Sequence, residues 1–187
     1  MRLISTLIVC LSFHFLALSQ NKTNPILIEW NDEQQLKWND FMGEKPEETI
    51  LGDAETIYSI EILPASIMVD ENNNIVNYKD LDVATYFHAD KSWVSDEKDA
   101  LLRNQQLKFD IAELHARMMR KEFEKLKAYK TQDFDSYQKV YSVFWAKCRE
   151  MQKQSNNATN RGVNLNATID WEDKVYKELK ALEEFAR

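Results

Sequence analysis

Hydrophobic and polar positions alternate with a helical period through the middle of the chain, from about Ser95 to Tyr129. At 100° per residue this segment is amphipathic over many turns, which predicts one long central helix. Ser95 is the predicted N-cap, because Asp96 and Glu97 then fall in the first turn, where the helix dipole favours acidic side chains. The apolar face comprises Leu101, Phe109, Ala112, Ala116, Met119 and Phe123, and the polar face comprises Asp110, Arg117, Lys121 and Glu124.

A polar stripe lies beside the apolar face of this helix. Asn104, Lys108, His115 and Glu122 project within about 40° of one another when placed on a helix. Polar groups next to a core need hydrogen-bond partners. The stripe is therefore expected to face either a cavity or a hydrogen-bonded network, and it is the most site-like feature of the sequence.

The part of the chain before the central helix favours strands. Ile26 to Trp30 is a short β-prone run, and apolar positions alternate in Glu55 to Leu63 and again in Val83 to His88. Turn-forming residues at Asp70 to Asn74 predict a hairpin between the two segments that flank them. We expect three to five mainly antiparallel strands in this region.

Two further helices are predicted after the central one. Asp133 is the expected N-cap of the second helix, in which apolar residues recur every three or four positions from Phe134 to Met151. The asparagine-rich segment Ser155 to Ala167 has no period and is predicted to be a loop. Thr168 or Asp170 would then cap a last helix. The fold class that follows is α+β, with a mainly antiparallel sheet followed by about three helices.

The first 19 residues have the pattern of a signal peptide. Arg2 precedes an apolar run that ends at Leu18, and Ala17-Leu18-Ser19 is a small-residue cleavage pattern. The run is short for a membrane span, and Cys10 lies in it without a convincing lipid-attachment motif. We therefore expect a signal peptide at 1–19, a single mature domain at 20–187, no transmembrane span after cleavage, and export to the periplasm or the medium.

Charge and composition exclude several classes of function. The chain has 24 basic and 31 acidic side chains, a net charge of −7, which argues against binding to nucleic acid phosphates. Only three glycines are present, so a glycine-rich phosphate loop is excluded. Cys148 would be the only cysteine left after cleavage, so neither an intrachain disulfide nor a cysteine-based metal site is expected.

Several motifs resemble those of a bacterial family of predicted secreted zinc-dependent proteases, catalogued as domain of unknown function 922. In that family an H-E-x-x-H pair on a helix is followed by F-D-I-A-E and then A-R, and this chain has Phe109-Asp110-Ile111-Ala112-Glu113 and Ala116-Arg117. Ser92-Trp93-Val94 and Trp38-x-x-Phe41-x-Gly43 match two upstream signatures, and Thr159-Asn160-Arg161-Gly162 is similar to the family's T-x-H-G. The resemblance implies a zincin-like arrangement, in which a sheet lies beside a long central helix that carries the metal site.

The residues that would carry the zinc chemistry are replaced in this chain. Asn104 and Lys108 stand at the two helix histidines, Gln105 stands at the glutamate, and Arg161 stands at the downstream histidine. Histidines at i and i+4 bind one metal ion from one helix face, and the glutamate polarises the metal-bound water. A protonated amine is a poor zinc ligand, and glutamine cannot take up a proton. The resemblance therefore implies a protease fold without its zinc, so no catalytic residue, metal or other cofactor is expected.

Lys108 and Arg161 place two cations where the family would hold a dication. One hypothesis is that their charge keeps Glu113 or Asp110 ionised and holds the downstream loop in place. The alternative is that Lys108 extends to solvent without a special partner. Asp110, Glu113 and His115 are the residues expected around the degenerate site, although His115 lies about 10 Å from Lys108 along the helix axis and could not share an ion with it.

Three functions from different classes fit the sequence. The favoured one is an exported, non-catalytic relative of secreted zinc proteases that binds a peptide or an envelope protein, or acts as a scaffold. The alternative is an active secreted hydrolase with reassigned residues, such as His115 or His88 together with Glu113. His88 on its own is expected to be merely hydrogen-bonded on a strand face. The third possibility is a purely structural envelope protein without a groove.

Overall fold

The computed structural model describes residues 26–48 and 52–187, so the predicted signal peptide lies outside the described residues. Short strands come early in the chain and three α-helices follow, which confirms the predicted α+β class. The strands are β1 (Leu27–Glu29), β2 (Ala54–Glu55), β3 (Tyr58–Leu63), β4 (Asp82–His88) and β5 (Trp93–Val94), and the helices are α1 (Asp99–Ala128), α2 (Phe134–Thr159) and α3 (Leu165–Ala181).

The strands pair antiparallel, as the sequence predicts, but they form two small sheets and not one. The larger sheet has the order β1-β4-β3, and the smaller one pairs β2 with β5. The predicted hairpin around Asp70 is reduced to a single bridge between Val69 and Ile75. The Asp70 carboxylate accepts hydrogen bonds from the backbone of Asn72 and Asn74, and Tyr78 opens a 3-10 helix. The hydrogen bonds to the Asp70 side chain therefore stabilise the turn, but the segments on either side of it do not pair as strands.

Helix α1 begins three residues later than predicted. Its first residue is Asp99, and its N-cap residue Lys98 makes no side-chain capping bond. The prediction of Ser95 as the N-cap was wrong, because the backbone N–H and the hydroxyl of Ser95 both donate to the carbonyl of Asp53 next to β2. At the other end the prediction is confirmed, since the helix ends at Ala128.

Helix α2 extends into the segment that was predicted to be a loop. Asp133 caps this helix as predicted, accepting from the backbone of Asp135 and Ser136. The helix then continues to Thr159. Ser155 and Thr159 are fully buried, so packing against the rest of the fold overrides the weak local helix propensity of this asparagine-rich stretch.

Helix α3 also starts earlier than the sequence suggested. Its N-cap is Asn164, whose side chain accepts a hydrogen bond from the backbone of Ala167. The predictions of Thr168 or Asp170 as the cap were wrong, because Thr168 lies inside the helix and is completely buried. Only residues 160–164 separate α2 from α3.

Helix α1 is the centre of the fold and is covered on several sides. It packs against α2, α3 and β4, and its buried apolar residues join the main core. The predicted polar face of α1 is not exposed along its whole length. Arg117 on this face is only 3 % exposed and donates to the carbonyl of Leu179 in α3. None of the helices in the described part of the chain has the length and hydrophobicity that a membrane span requires.

Candidate functional site

A closed polar cluster occupies the positions that the family resemblance assigns to the metal. Its members are Glu55, Asn104, Lys108, Thr159 and Gly162, contributed by β2, α1, α2 and the turn after α2. Thr159 Oγ1 donates a hydrogen bond of 3.0 Å to Asn104 Oδ1. A Cβ atom built on Gly162 would lie only 2.8 Å from Asn104 Cβ, and the φ of Gly162 is +93°. The turn is thus pressed directly on Asn104.

Lys108 forms a buried ion pair within the closed polar cluster. Its Nζ donates to Glu55 Oε1 over 3.1 Å, and the exposed fractions of the two side chains are 6 % and 35 %. Burial lowers the pKa of Lys108 and the charge of Arg161 adds to this effect, whereas Glu55 opposes it. Lys108 therefore does not extend freely into solvent. Its partner is Glu55, and not Glu113 or Asp110 as hypothesised from the sequence.

The two other replaced positions, Gln105 and Arg161, make no hydrogen bond to this pair among the described residues. Gln105 is buried, and its backbone carbonyl accepts a hydrogen bond of 3.1 Å from Thr56 Oγ1. Its side-chain Oε1 has no partner among the described residues. Arg161 is exposed in the turn after α2 and has a left-handed backbone with φ of 55°. The structure thus brings together Asn104, Lys108 and the turn that carries Arg161.

The closed polar cluster does not fit a zinc ion. The Nζ of Lys108 is engaged by Glu55 over 3.1 Å, and a lysine amine is not among the usual zinc ligands. The side chain of Asn104 is hydrogen-bonded to Thr159 and covered by Gly162. Within residues 26–48 and 52–187, no three His, Cys, Asp or Glu side chains come close enough to share a metal ion. Contacts between residues of the chain itself therefore fill this part of the fold.

Glu113 belongs to a separate, fully paired network. Its Oε1 accepts from Arg117 over 3.0 Å and from Arg120, and its Oε2 accepts from Thr85 Oγ1 over 3.0 Å. Arg120 also donates to the carbonyl of Val83 in β4. These bonds connect α1 with β4 and engage both oxygens of Glu113, whose side chain is 4 % exposed. Glu113 therefore acts as a structural anchor and not as a general base.

The two histidines of the described residues also have partners of their own. His115 Nδ1 lies 2.8 Å from the carbonyl of Ile111, and burial lowers the pKa of His115. His88 Nε2 lies 2.9 Å from Ser59 Oγ, which confirms that this histidine is hydrogen-bonded. Since Ser59 donates its own proton to Glu61 over 2.7 Å, His88 Nε2 is the donor to Ser59. His88 is therefore not placed to activate Ser59 as a nucleophile.

A cavity that the sequence did not predict lies on the opposite side of α1. The cavity, here called the Asp110 cavity, has a volume of about 230 Å³ and is bordered by the segment after β1, by α1 and by α3. Its lining includes Trp30, Gln106, Asp110, Arg117, Glu172 and Tyr176. Of these residues only Asp110 was expected near a site, and it was expected on the side of the replaced metal ligands. No local pattern indicates that Trp30 and α3 close over it.

Asp110 is the central acid of this cavity. Trp30 Nε1 and Gln106 Nε2 each donate to its Oδ1 over 2.8 Å. Burial raises the pKa of Asp110 to about 6, with the charges of Glu172 and Glu113 adding to the rise and the two hydrogen bonds opposing it. A carboxyl group with a strongly raised pKa at the edge of a cavity is a candidate for ligand binding.

No known protein family, curated protein or solved structure matches this chain. The resemblance to secreted zinc proteases, carried by the motifs quoted above, therefore stays a prediction. The function is argued from the geometry of the closed polar cluster and of the Asp110 cavity.

Proposed function

We propose that this protein is an exported, non-catalytic relative of secreted zinc proteases and acts as a peptide-binding, protein-binding or scaffold module of the cell envelope. The observation that carries this proposal is the buried Lys108–Glu55 ion pair. Lys108 stands at the position of the second histidine in the resembled motif. Its ion pair with Glu55 connects α1 to β2, where the motif would bind a metal. Fold and chemistry are separable, so a protein fold can be kept while its site is put to another use.

The contacts around Asn104 support the same proposal. The turn after α2 docks on Asn104 through Thr159 and Gly162, so an ion or a water molecule at this position would have to displace the turn. Groups that would bind metal and substrate in a protease instead stabilise the junction of α1, β2 and α2. Export is supported by the sequence pattern of the first 19 residues.

The two competing functions have less support. A hydrolase with reassigned residues would need Glu113 together with His115 or His88, and each of these side chains is engaged by different partners. A purely structural role would not require a cavity. The Asp110 cavity, with its raised pKa and aromatic lining, favours binding.

Metal content and proteolysis test the non-catalytic part of this proposal. We expect the purified protein to contain far less than one zinc per chain by mass spectrometry, and to leave casein and a mixed peptide library intact with or without a chelator. Stoichiometric zinc or chelator-sensitive cleavage would overturn the proposal. Cleavage that a chelator does not affect would favour the reassigned hydrolase.

A gain-of-binding variant provides the matched control. It carries Asn104→His, Gln105→Glu, Lys108→His and Arg161→His, which rebuild the residues of the resembled motif. We expect this variant to bind zinc more tightly than the native protein by about tenfold or more, because two histidines at i and i+4 then face one point. Equal zinc affinity of the two proteins would mean that the helix position does not correspond to a metal site.

Cell fractionation tests the export part of the proposal. We expect the mature protein in the periplasm or the medium, with an N-terminus at Gln20 by mass spectrometry, because cleavage should follow Ser19. A chain that retains its first 19 residues in the cytoplasm would contradict export and leave the binding proposal to be tested separately.

A further inference from the structure

Four acidic and two basic side chains line the Asp110 cavity, and Asp110 makes no ion pair with any described residue. Two cationic residues border it, and both are occupied: Arg117 pairs with Glu113, and Lys180 pairs with Glu183. No ion pair within 4.0 Å joins Asp110 to a cation in the described part of the chain, and the same holds for Asp32 at the other side of the cavity. The neighbouring cation Arg103 is engaged by Glu172.

The second oxygen of Asp110 is the key acceptor in the cavity. Both hydrogen bonds that the described residues make to Asp110 end on Oδ1, from Trp30 and from Gln106. Oδ2 accepts no hydrogen bond from the described residues and is not among the fully enclosed polar atoms without a partner, and Asp110 is part of the cavity lining. A largely buried carboxylate oxygen that faces a cavity is a preformed acceptor for a donor that enters from outside.

The other walls of the cavity suit an aliphatic stem that ends in a cation. Trp30 presents its ring, one side of which is covered by Arg117 at 5.0 Å, and the ring of Tyr176 is 61 % exposed beside it. Aromatic rings bind both methylene groups and cations. The volume of about 230 Å³ is below the ~300–1,000 Å³ of sites for drug-sized ligands, so the cavity suits one side chain or one small amine.

We propose that the Asp110 cavity binds an organic cation, namely a primary ammonium or guanidinium group on an aliphatic stem, with Asp110 Oδ2 as the principal acceptor. The same chemistry is offered by a free amine and by a lysine or arginine side chain of a peptide. This inference rests on the proposed binding function and names the chemical class of its ligand. Glu172, on α3, also lines this cavity, and its carboxylate is paired with Arg103.

Binding should weaken as the pH falls. Burial raises the pKa of Asp110 to about 6 in the free protein, so below this pH the carboxyl is protonated and loses its attraction for a cation. A bound cation would itself lower this pKa, so ligand binding should release protons near pH 6. The other charged groups that line the cavity are Asp32 from the segment after β1, Arg117 from α1, and Glu172, Lys180 and Glu183 from or next to α3. The charge of Glu113 on α1 acts on Asp110 from outside the lining.

Calorimetry at pH 7.5 with defined probes tests the proposal. The cationic probes are n-butylammonium, agmatine and the capped peptide acetyl-Gly-Lys-Gly-amide, and the neutral control is n-butanol. We expect the cations to bind about tenfold or more tightly than n-butanol, and the affinity to fall about tenfold between pH 7.5 and pH 5. Tighter binding of the peptide would identify the source as a protein or peptide, and tighter binding of the free amines would identify it as a small molecule.

A pair of isosteric variants locates the binding site. Asp110→Asn keeps an oxygen that can accept from Trp30 and Gln106, so we expect it to fold and to lose about tenfold or more in affinity. Asp90→Asn changes an exposed acid outside the cavity lining and should bind as the native protein does. The indole N–H resonance of Trp30, assigned with Trp30→Phe, should shift on binding because this N–H donates to Asp110.

Several results would overturn the inference. These are the absence of heat and of a Trp30 shift with all cationic probes at 10 mM, equal binding of n-butanol, and native affinity in Asp110→Asn. If Asp110→Asn failed to fold, the pH series on the native protein would still decide. The zinc and protease measurements are independent of these probes, so failure of the cation site and failure of the non-catalytic proposal are distinguishable.

Discussion

Lys108 and Asp110 lie two residues apart on α1, and their surroundings differ in one decisive respect. Both side chains are largely buried, and they face different sides of the helix. Lys108 has an acidic partner in Glu55 and is packed among the residues of the closed polar cluster. Asp110 has two neutral hydrogen-bond donors, no cationic partner among the described residues, and a cavity beside it.

This difference distinguishes a charged side chain that stabilises the fold from one that is available to a ligand. A buried ion whose partner belongs to the same chain uses its electrostatic attraction to join elements of the fold. A buried carboxylate without such a partner can still attract a cationic ligand. Its pKa is raised because no nearby cation offsets the cost of removing the charged form from water. The side of α1 where the resemblance places the zinc ligands is thus the closed side, and the side that carries Asp110 is the open one.

The largest expected effect comes from a substitution at Gly162 that disturbs its contact with Asn104 in the closed polar cluster. Gly162→Ala should destabilise the protein by about 2–4 kcal/mol, because alanine disfavours positive φ and its Cβ would press on Asn104. Gly52→Ala is the matched control: Gly52 has nearly the same φ, +90°, but its nearest neighbour to an added Cβ is 3.8 Å away. Urea denaturation should show the larger loss for Gly162→Ala. Equal losses would mean that the turn is not tightly docked.

On the open side, Asp110→Asn should stabilise the protein at neutral pH by about 3 kcal/mol, given about 1.4 kcal/mol per unit of pKa shift. The folded-state pKa of Asp110 is raised from 3.8 to about 6. The stability gained by protonating Asp110 is therefore complete below the unfolded pKa and is lost as pH rises through 6. Thermal unfolding should show that the advantage of Asp110→Asn is present at pH 7.5 and disappears at pH 4. Asp90→Asn should have no such pH-dependent effect, and an advantage that is equal at both pH values would contradict this account.

The sequence predicts the parts of the fold that local patterns determine. Period-two alternation locates β3 and β4, and the helical period locates α1 and the start of α2 at Asp133. The prediction failed for residues 155–167, where asparagine and serine suggest a loop. Ser155 and Thr159 are helical there because they are buried by other parts of the fold, and no local propensity contains that information.

The candidate sites depend on contacts between distant parts of the chain. The polar stripe on α1 was predicted to face a cavity or a network, and Asn104, Lys108 and His115 are indeed buried with hydrogen-bond partners. The identity of those partners could not be predicted, since Glu55 lies 53 residues from Lys108 and Trp30 lies 80 residues from Asp110. The Asp110 cavity could not be predicted for the same reason. It forms where α1 meets both α3 and the segment that follows β1.

The smallest expected effect tests whether the closed side is held by its charge or by its packing. Glu55→Gln should destabilise the protein by about 1 kcal/mol more than Lys108→Met does, because it leaves the ammonium group of Lys108 without a counter-ion at 6 % exposure. Lys108→Met leaves Glu55, which is 35 % exposed and can be hydrated. Urea denaturation of the two single variants and the double variant measures this asymmetry. Equal or reversed losses would mean that Lys108 sheds its charge in the folded protein, and the ion pair would then not be what closes this side of α1.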